Sequence, residues 1–289
     1  MQTEINGTEI YFDILNSDPS AAPEARSKPT IIALHGGLGF DHRYLRPGIG
    51  PLSDVARIIF VDLRGQGQSA RPALDTCSLE QMADDVAGLS AKLGIDRPII
   101  FGHSAGGFVG MTMALRHPKL VSGLILSGTV ATLTPSTNES EADPTLAKRA
   151  PLGVVSVAKH YFGTDVTETS AAAFFQEVGP YYGAPQNMEM IPRLLALSSV
   201  DVPMLRHFRK DIVPVYDLRA QLAKIACPTL VLVGSHDWVC PPRASRLIAR
   251  AIPHSEFFEF DQSGHFLFSE EPQRFLSVAR DFLSRTALA

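Results

Sequence analysis

Apolar runs of strand length recur along this chain at Thr30–Leu34, Arg57–Val61, Pro98–Phe101, Gly123–Leu126, Thr229–Val233 and Phe257–Phe260. They run without strict apolar/polar alternation, as strands buried on both faces do, and such strands pair in parallel sheets covered by helices. Helical spacing fills the intervals. Leu79, Met82, Val86, Leu89 and Leu93 follow the capping pair Ser78 and Gln81, and Gly94 stops the pattern. Pro242 and Pro272 open two further helices, the first carrying Leu247 and Ile248, the second Phe275, Leu276, Phe282 and Leu283. This alternation predicts an α/β fold with a mostly parallel, doubly wound sheet. Around the Asn6-Gly7 turn, Thr3–Ile5 and Glu9–Leu15 predict an antiparallel hairpin at the sheet edge.

The alternation breaks from about residue 131 to 215, where prolines, polar residues and aromatic pairs such as Phe174-Phe175 and Tyr181-Tyr182 replace the apolar runs. The stretch predicts a mostly helical cap over the carboxyl edge of the sheet, where open α/β folds bind ligands. It divides the chain into a core of residues 1–130 and 216–289 and an insertion of residues 131–215. Ser17 to Lys28, rich in Pro, Ala and Ser, reads as a mobile loop.

With 289 residues, 45% hydrophobic and 19% charged, the chain can bury the core of one large domain. A net charge of −4 without a Lys/Arg block points away from nucleic acid and anionic membrane. No signal-like leader and no run of about 18 apolar residues is present, so a cytoplasmic location is expected. Cys77, Cys227 and Cys240 are widely spaced and odd in number, a pattern for reduced thiols. The histidines lack metal-ligand spacing, and neither a metal nor a cofactor is expected. Nothing in the sequence fixes an oligomeric state.

Gly102-His103-Ser104-Ala105-Gly106 sits between the apolar run ending at Phe101 and the helix-like stretch from Phe108. Glycines two before and two after a serine permit the tight strand-to-helix turn that lifts its hydroxyl off the sheet. A serine hydroxyl needs an imidazole to take its proton and a carboxylate to orient that imidazole. Asp237 follows the run Leu230–Val233, and His265 follows the last predicted strand, so all three stand at carboxyl ends of separate strands. Asp261 and Glu259 are rival acids, but no acid follows Gly123–Leu126. Two N–H groups would hold an oxyanion: that of Ala105 and, from the turn His35-Gly36-Gly37-Leu38-Gly39, that of Gly37. His35 reads as a strand-end histidine bracing this turn, and Arg64–Ser69 as a supporting turn. Leu38, His103, Phe174, Glu177, Tyr181, Trp238 and Phe266 are candidate substrate contacts.

In this Ser, Asp, His order the chain resembles the α/β-hydrolase fold superfamily over essentially its whole length. The loop at His35–Gly39 and the run Asp62-Leu63-Arg64-Gly65-Gln66-Gly67-Gln68-Ser69 resemble its proline iminopeptidase-like branch. The resemblance implies Ser104, Asp237 and His265 as a catalytic triad under a helical cap. It departs from that branch at Leu38, where peptidases carry proline, at Leu63, where they carry glutamine, and in the elbow, which is similar to those of esterases, lactonases and C–C hydrolases. The resemblance therefore implies a serine hydrolase that cleaves an ester or lactone of a small, largely apolar substrate through an acyl-enzyme on Ser104. An aminopeptidase or amidase is the alternative, with Glu177 as the cap acid for a free α-amine; a C–C hydrolase or lyase is another.

Overall fold

The structure is a computed structural model, and it describes residues 1–15, 28–134, 143–163 and 166–286. Apart from Lys28, the run expected to be a mobile loop lies outside these residues. An eight-stranded sheet runs in the order β1-β2-β4-β3-β5-β6-β7-β8, with β1 Gln2–Ile5, β2 Thr8–Leu15, β3 Thr30–Leu34, β4 Arg57–Val61, β5 Ile99–His103, β6 Gly123–Ser127, β7 Thr229–Gly234 and β8 Ser255–Phe260. The β1–β2 hairpin and the β2–β4 pairing are antiparallel, and every later pairing is parallel. Asn6 and Gly7 both take positive φ at 47° and 74°, as the two-residue hairpin turn demands.

The strands β3 to β7 are buried nearly throughout because helices cover both faces, separating the core into two apolar clusters. Edge strand β8 differs from its expected double burial: only Phe260 is fully buried, since among the described residues no strand pairs on its outer side. Helix Leu79–Lys92 begins where Ser78 Oγ accepts the Gln81 N–H at 3.1 Å. Gln81 does not complete the reciprocal cap; its side chain reaches Asp85 instead, at 3.0 Å. Helices Pro242–Ala251 and Pro272–Thr286 start at their prolines as expected.

Between β6 and β7 the described chain is helical, including Leu146–Arg149, Leu152–Gly163, Glu168–Glu177 and Val202–His207. These inserted helices carry an apolar cluster of their own around Tyr161, Phe174 and Leu205. Core loops hold them: the Ser199 N–H and hydroxyl donate to Asp41 Oδ2 at 2.8 and 2.7 Å, and the Asp201 N–H donates to the Gly39 carbonyl at 2.7 Å. Among the described residues no helix is long and apolar enough to cross a membrane.

Candidate active site

The strand β5 ends at His103, and Ser104 turns the chain into helix Ala105–Arg116 with φ 53° and ψ −123°. Positive φ at a residue with a side chain costs about 1–3 kcal/mol, so the surroundings must hold it. The Ser104 N–H donates to the Ser127 carbonyl at 3.0 Å, and the Ser104 carbonyl accepts from Thr129 Oγ1 at 2.7 Å and the Gly107 N–H at 2.9 Å. Glycine at both ends of the motif is a steric requirement. A Cβ on Gly102 would stand 2.6 Å from the Gly106 carbonyl oxygen, and one on Gly106 would stand 2.2 Å from that of Leu34. Backbone meets backbone there, leaving the serine side chain to project at the positive end of the helix.

Asp237, beyond β7, is fully buried. Its Oδ1 accepts the N–H groups of Val239 and Cys240 at 2.9 and 2.8 Å, and its Oδ2 lies 2.8 Å from His265 Nδ1. A carboxylate can only accept, so Nδ1 carries a proton, and in the neutral imidazole the lone pair falls on Nε2. His265 and Ser104 line one cavity together with Gly36, Gly37 and Ala105. Gly37 has φ 88°, and among the described residues neither its N–H nor that of Ala105 meets an acceptor. Among the described residues no hydrogen bond joins the Ser104 hydroxyl to His265 Nε2; the two side chains share the cavity with two unengaged N–H groups, the set of groups that general-base chemistry and oxyanion binding draw on.

Asp237, Cys240 and His265 present donor atoms within 4.8 Å of one another, the spacing of a small cation cage. Their existing bonds do not leave a ready ligand set for a metal. Both Asp237 oxygens are engaged, and burial followed by the Asp237 charge pushes the Cys240 thiol well above its usual value.

Buried hydrogen bonds brace the loops. His35 Nε2 accepts the Leu63 N–H at 3.1 Å and Nδ1 faces the Gly36 carbonyl at 3.0 Å, while Gln66 Oε1 accepts the Gly39 N–H at 2.6 Å. His103 Nε2 faces the His265 carbonyl at 3.0 Å, so that nitrogen donates. Nδ1 must then accept from the Tyr44 hydroxyl at 2.7 Å, which itself accepts the Gly36 N–H at 2.7 Å. Burial, then repulsion from neighbouring His265, holds the His103 pKa well below the usual imidazole value, as the neutral form requires.

The cavity holds about 490 Å³, and its walls come from both layers of the fold. Of the candidate contacts, His103, Phe174, Trp238 and Phe266 line it. Three candidates do not. Leu38 is fully buried in the core, Glu177 is solvent-exposed on its helix, and Tyr181 is half-buried with its carbonyl accepting the Trp238 Nε1–H at 2.9 Å. In the tight turn Gly179–Tyr182 adjacent side chains diverge, so Tyr182 faces the cavity and packs edge-on to His265 with ring centroids 5.5 Å apart. Phe175 and Phe40, edge-to-face at 5.1 Å, also line the cavity and escaped the sequence reading, as did Tyr44. Phe175 adjoins a residue that was singled out, whereas Phe40 and Tyr44 carry no local signal beyond their spacing of one helical turn. Among the described residues the lining contains no carboxylate; Arg209 is its one guanidinium, donating to the Tyr161 and Phe162 carbonyls.

Residues 29–272 match the model of the alpha/beta hydrolase fold family. The chain belongs to this family, and it is an enzyme. It is 28% identical over 290 residues to the proline iminopeptidase PfmaB of Pestalotiopsis fici, covering 98% of both chains. It is 27% identical over 281 residues to the putative carbamate hydrolase RutD of Serratia proteamaculans, covering 96% of this chain and 97% of the other. Among solved structures it is similar to an enol-lactonase from Burkholderia xenovorans LB400, with a TM-score of 0.76, 26% identity and coverage of 98% and 100%. The resemblance to proline iminopeptidases read from the loops thus has a counterpart over the whole chain.

Proposed function

We propose that this α/β hydrolase cleaves carboxylic esters or lactones of small, largely apolar compounds through an acyl-enzyme on Ser104. His265 Nε2 takes the Ser104 proton, the oxygen attacks the carbonyl carbon, and the N–H groups of Gly37 and Ala105 receive the oxyanion. Asp237 holds the imidazole in the tautomer that leaves Nε2 basic. The protonated His265 then gives its proton to the departing alkoxide, and a water molecule activated by the same nitrogen releases the acid. Residues 131–215 act as the cap that closes this site from water.

The observation that carries the reading is an aromatic cavity, free of carboxylates among the described residues, around a strained serine and an Asp–His pair at 2.8 Å. An aminopeptidase must balance the charge of a free α-amine, and burying an unpaired ammonium is costly. With Glu177 in solvent, the described residues of the lining offer no acid to do so. The names of the relatives span lactone, carbamate and peptide chemistry, and the cavity favours the uncharged members of that set.

A panel of p-nitrophenyl esters, small lactones and prolyl or alanyl anilides tests the reading. Wild type should turn over esters or lactones well ahead of anilides, and Ser104→Ala should lose about 10⁶-fold in kcat, by analogy with subtilisin. Full turnover in Ser104→Ala, or anilides ahead of esters, overturns it.

A further inference from the structure

The backbone of Tyr181 to Ala184 passes between the loop carrying Asp237 and the loop carrying His265, and it is bonded to both. The Tyr181 carbonyl accepts from Trp238 Nε1 at 2.9 Å and from Arg149 Nη1 at 3.2 Å. The Tyr182 carbonyl accepts the His265 N–H at 2.7 Å, and the Gly183 carbonyl accepts from Arg149 Nη2 at 2.6 Å. Arg149 Nη1 also donates to the carbonyl of His236, next to Asp237, at 3.1 Å. One guanidinium therefore ties the first inserted helix to this segment and to the Asp237 loop.

Glu270 does the corresponding work at His265. Its Oε1 accepts the N–H groups of Gly264 and Phe266, the two neighbours of His265, at 3.0 and 3.1 Å. Its Oε2 accepts the Gly264 N–H at 3.0 Å, the Ala184 N–H at 2.7 Å and Asn187 Nδ2 at 3.1 Å. The fit leaves no slack, because a Cβ on Gly264 would stand 2.2 Å from the Tyr182 carbonyl oxygen. A carboxylate and a guanidinium, each satisfied by main-chain groups on both sides of the cavity, form charge-assisted bonds that fix geometry more strictly than apolar packing does.

We propose that Arg149 and Glu270 are positioning residues through which the cap sets the register of the Asp237 and His265 loops against Ser104. The proposal rests on the acyl-enzyme reading above. Substrate pressing on the cap side of the cavity then acts on the imidazole through Tyr182 and Ala184, so the cap contributes to the rate as well as to binding.

The test uses the full chain and a p-nitrophenyl ester that wild type hydrolyses. Glu270→Gln keeps the size but turns one acceptor atom into a donor facing N–H groups. Arg149→Met keeps the length and removes every donor. Each should lower kcat by about 10- to 100-fold, since misplacing oriented reactants by about 1 Å costs on the order of 100-fold. KM should stay within about twofold, and labelling of Ser104 by a fluorophosphonate should slow in proportion to kcat. Arg149→Lys, which keeps a cation and some donors, should recover part of the loss seen in the methionine variant. Asn187→Ala removes only one cap-side donor and should give a smaller loss in the same direction, which covers the case in which the charge variants fail to fold. Folded variants with unchanged kcat and labelling, or with changes confined to KM, overturn the coupling. If instead Ser104→Ala keeps wild-type turnover, the acyl-enzyme reading itself has failed.

Discussion

The two walls of the cavity are built on different principles. Around the serine the sheet-side wall is backbone, with Gly36, Gly37, Ser104 and Ala105 placed by strand ends, positive φ values and contacts that exclude a Cβ, while the rings of Phe40, Tyr44, His103 and Phe266 line the same side further out. The helical wall is side chain: Phe174, Phe175, Tyr182 and their neighbours present rings whose identity, rather than whose backbone path, shapes the space. On the proposed function, chemistry that needs main-chain donors at fixed positions falls to the first wall, and selection by shape to the second. One fold can therefore keep a reaction and change its substrate by altering the helical wall alone.

The sharpest way to break this contrast is Gly106→Ala. The new methyl would sit 2.2 Å from the Leu34 carbonyl oxygen, so the elbow must move or the helix must shift. We expect a stability loss of at least about 1–3 kcal/mol in chemical denaturation and near-complete loss of activity. Retained activity would show that the sheet-side wall is not set by backbone contact.

A smaller and different effect is expected on the helical wall. Phe175→Ala removes a half-buried ring that meets Phe40 edge-on at 5.1 Å. The lost apolar contact, about 1.5 kcal/mol, should raise KM for a small aromatic ester roughly tenfold and leave kcat within about twofold. A fall in kcat with KM unchanged would place Phe175 with the chemistry rather than with selection.

The mildest test is pH. Burial holds the pKa values of His35 and His103 below the ordinary imidazole value of 6.5, so below that pH the unfolded chain binds protons that the folded chain refuses. Their stabilisation is present above 6.5 and is lost as pH falls from 6.5 toward the folded values. Glu270 works in the opposite sense, since burial raises its pKa above 4.5 and its contribution is lost as pH rises through that range. Urea midpoints taken at about pH 7 and about pH 5.5 should fall toward the acid side, by on the order of 1 kcal/mol per buried imidazole per pH unit. In His103→Gln, whose side chain does not titrate, the fall should shrink.

Much of the sheet-side wall was legible in the chain. Gly102 and Gly106 on either side of Ser104 signal a strained turn because a Cβ at either glycine would meet backbone, and Asp237 and His265 stand out by following apolar runs. The helical wall was not legible to the same degree. Tyr181 and Tyr182 are indistinguishable as letters, yet Tyr182 turns its ring to His265 while Tyr181 packs on the inserted helices and meets Trp238 through its carbonyl. Glu177 sits beside Phe174 and Phe175 in the sequence but faces water in the fold, because one helix presents both a packed side and a wet one.

What the sequence by itself determined is the set of local constraints: strand runs, helix starts, the elbow and the order in which candidate groups leave the sheet. Those follow from sterics and periodicity over a few residues, which neighbours along the chain suffice to express. Only the tertiary structure decided that His265 Nδ1 meets Asp237, that Tyr44 and His103 link the glycine loop to the His265 loop, and that Arg149 and Glu270 bind the inserted helices to both loops. Those contacts join residues remote in the chain, and their geometry is set by how the inserted helices seat on the carboxyl edge of the sheet.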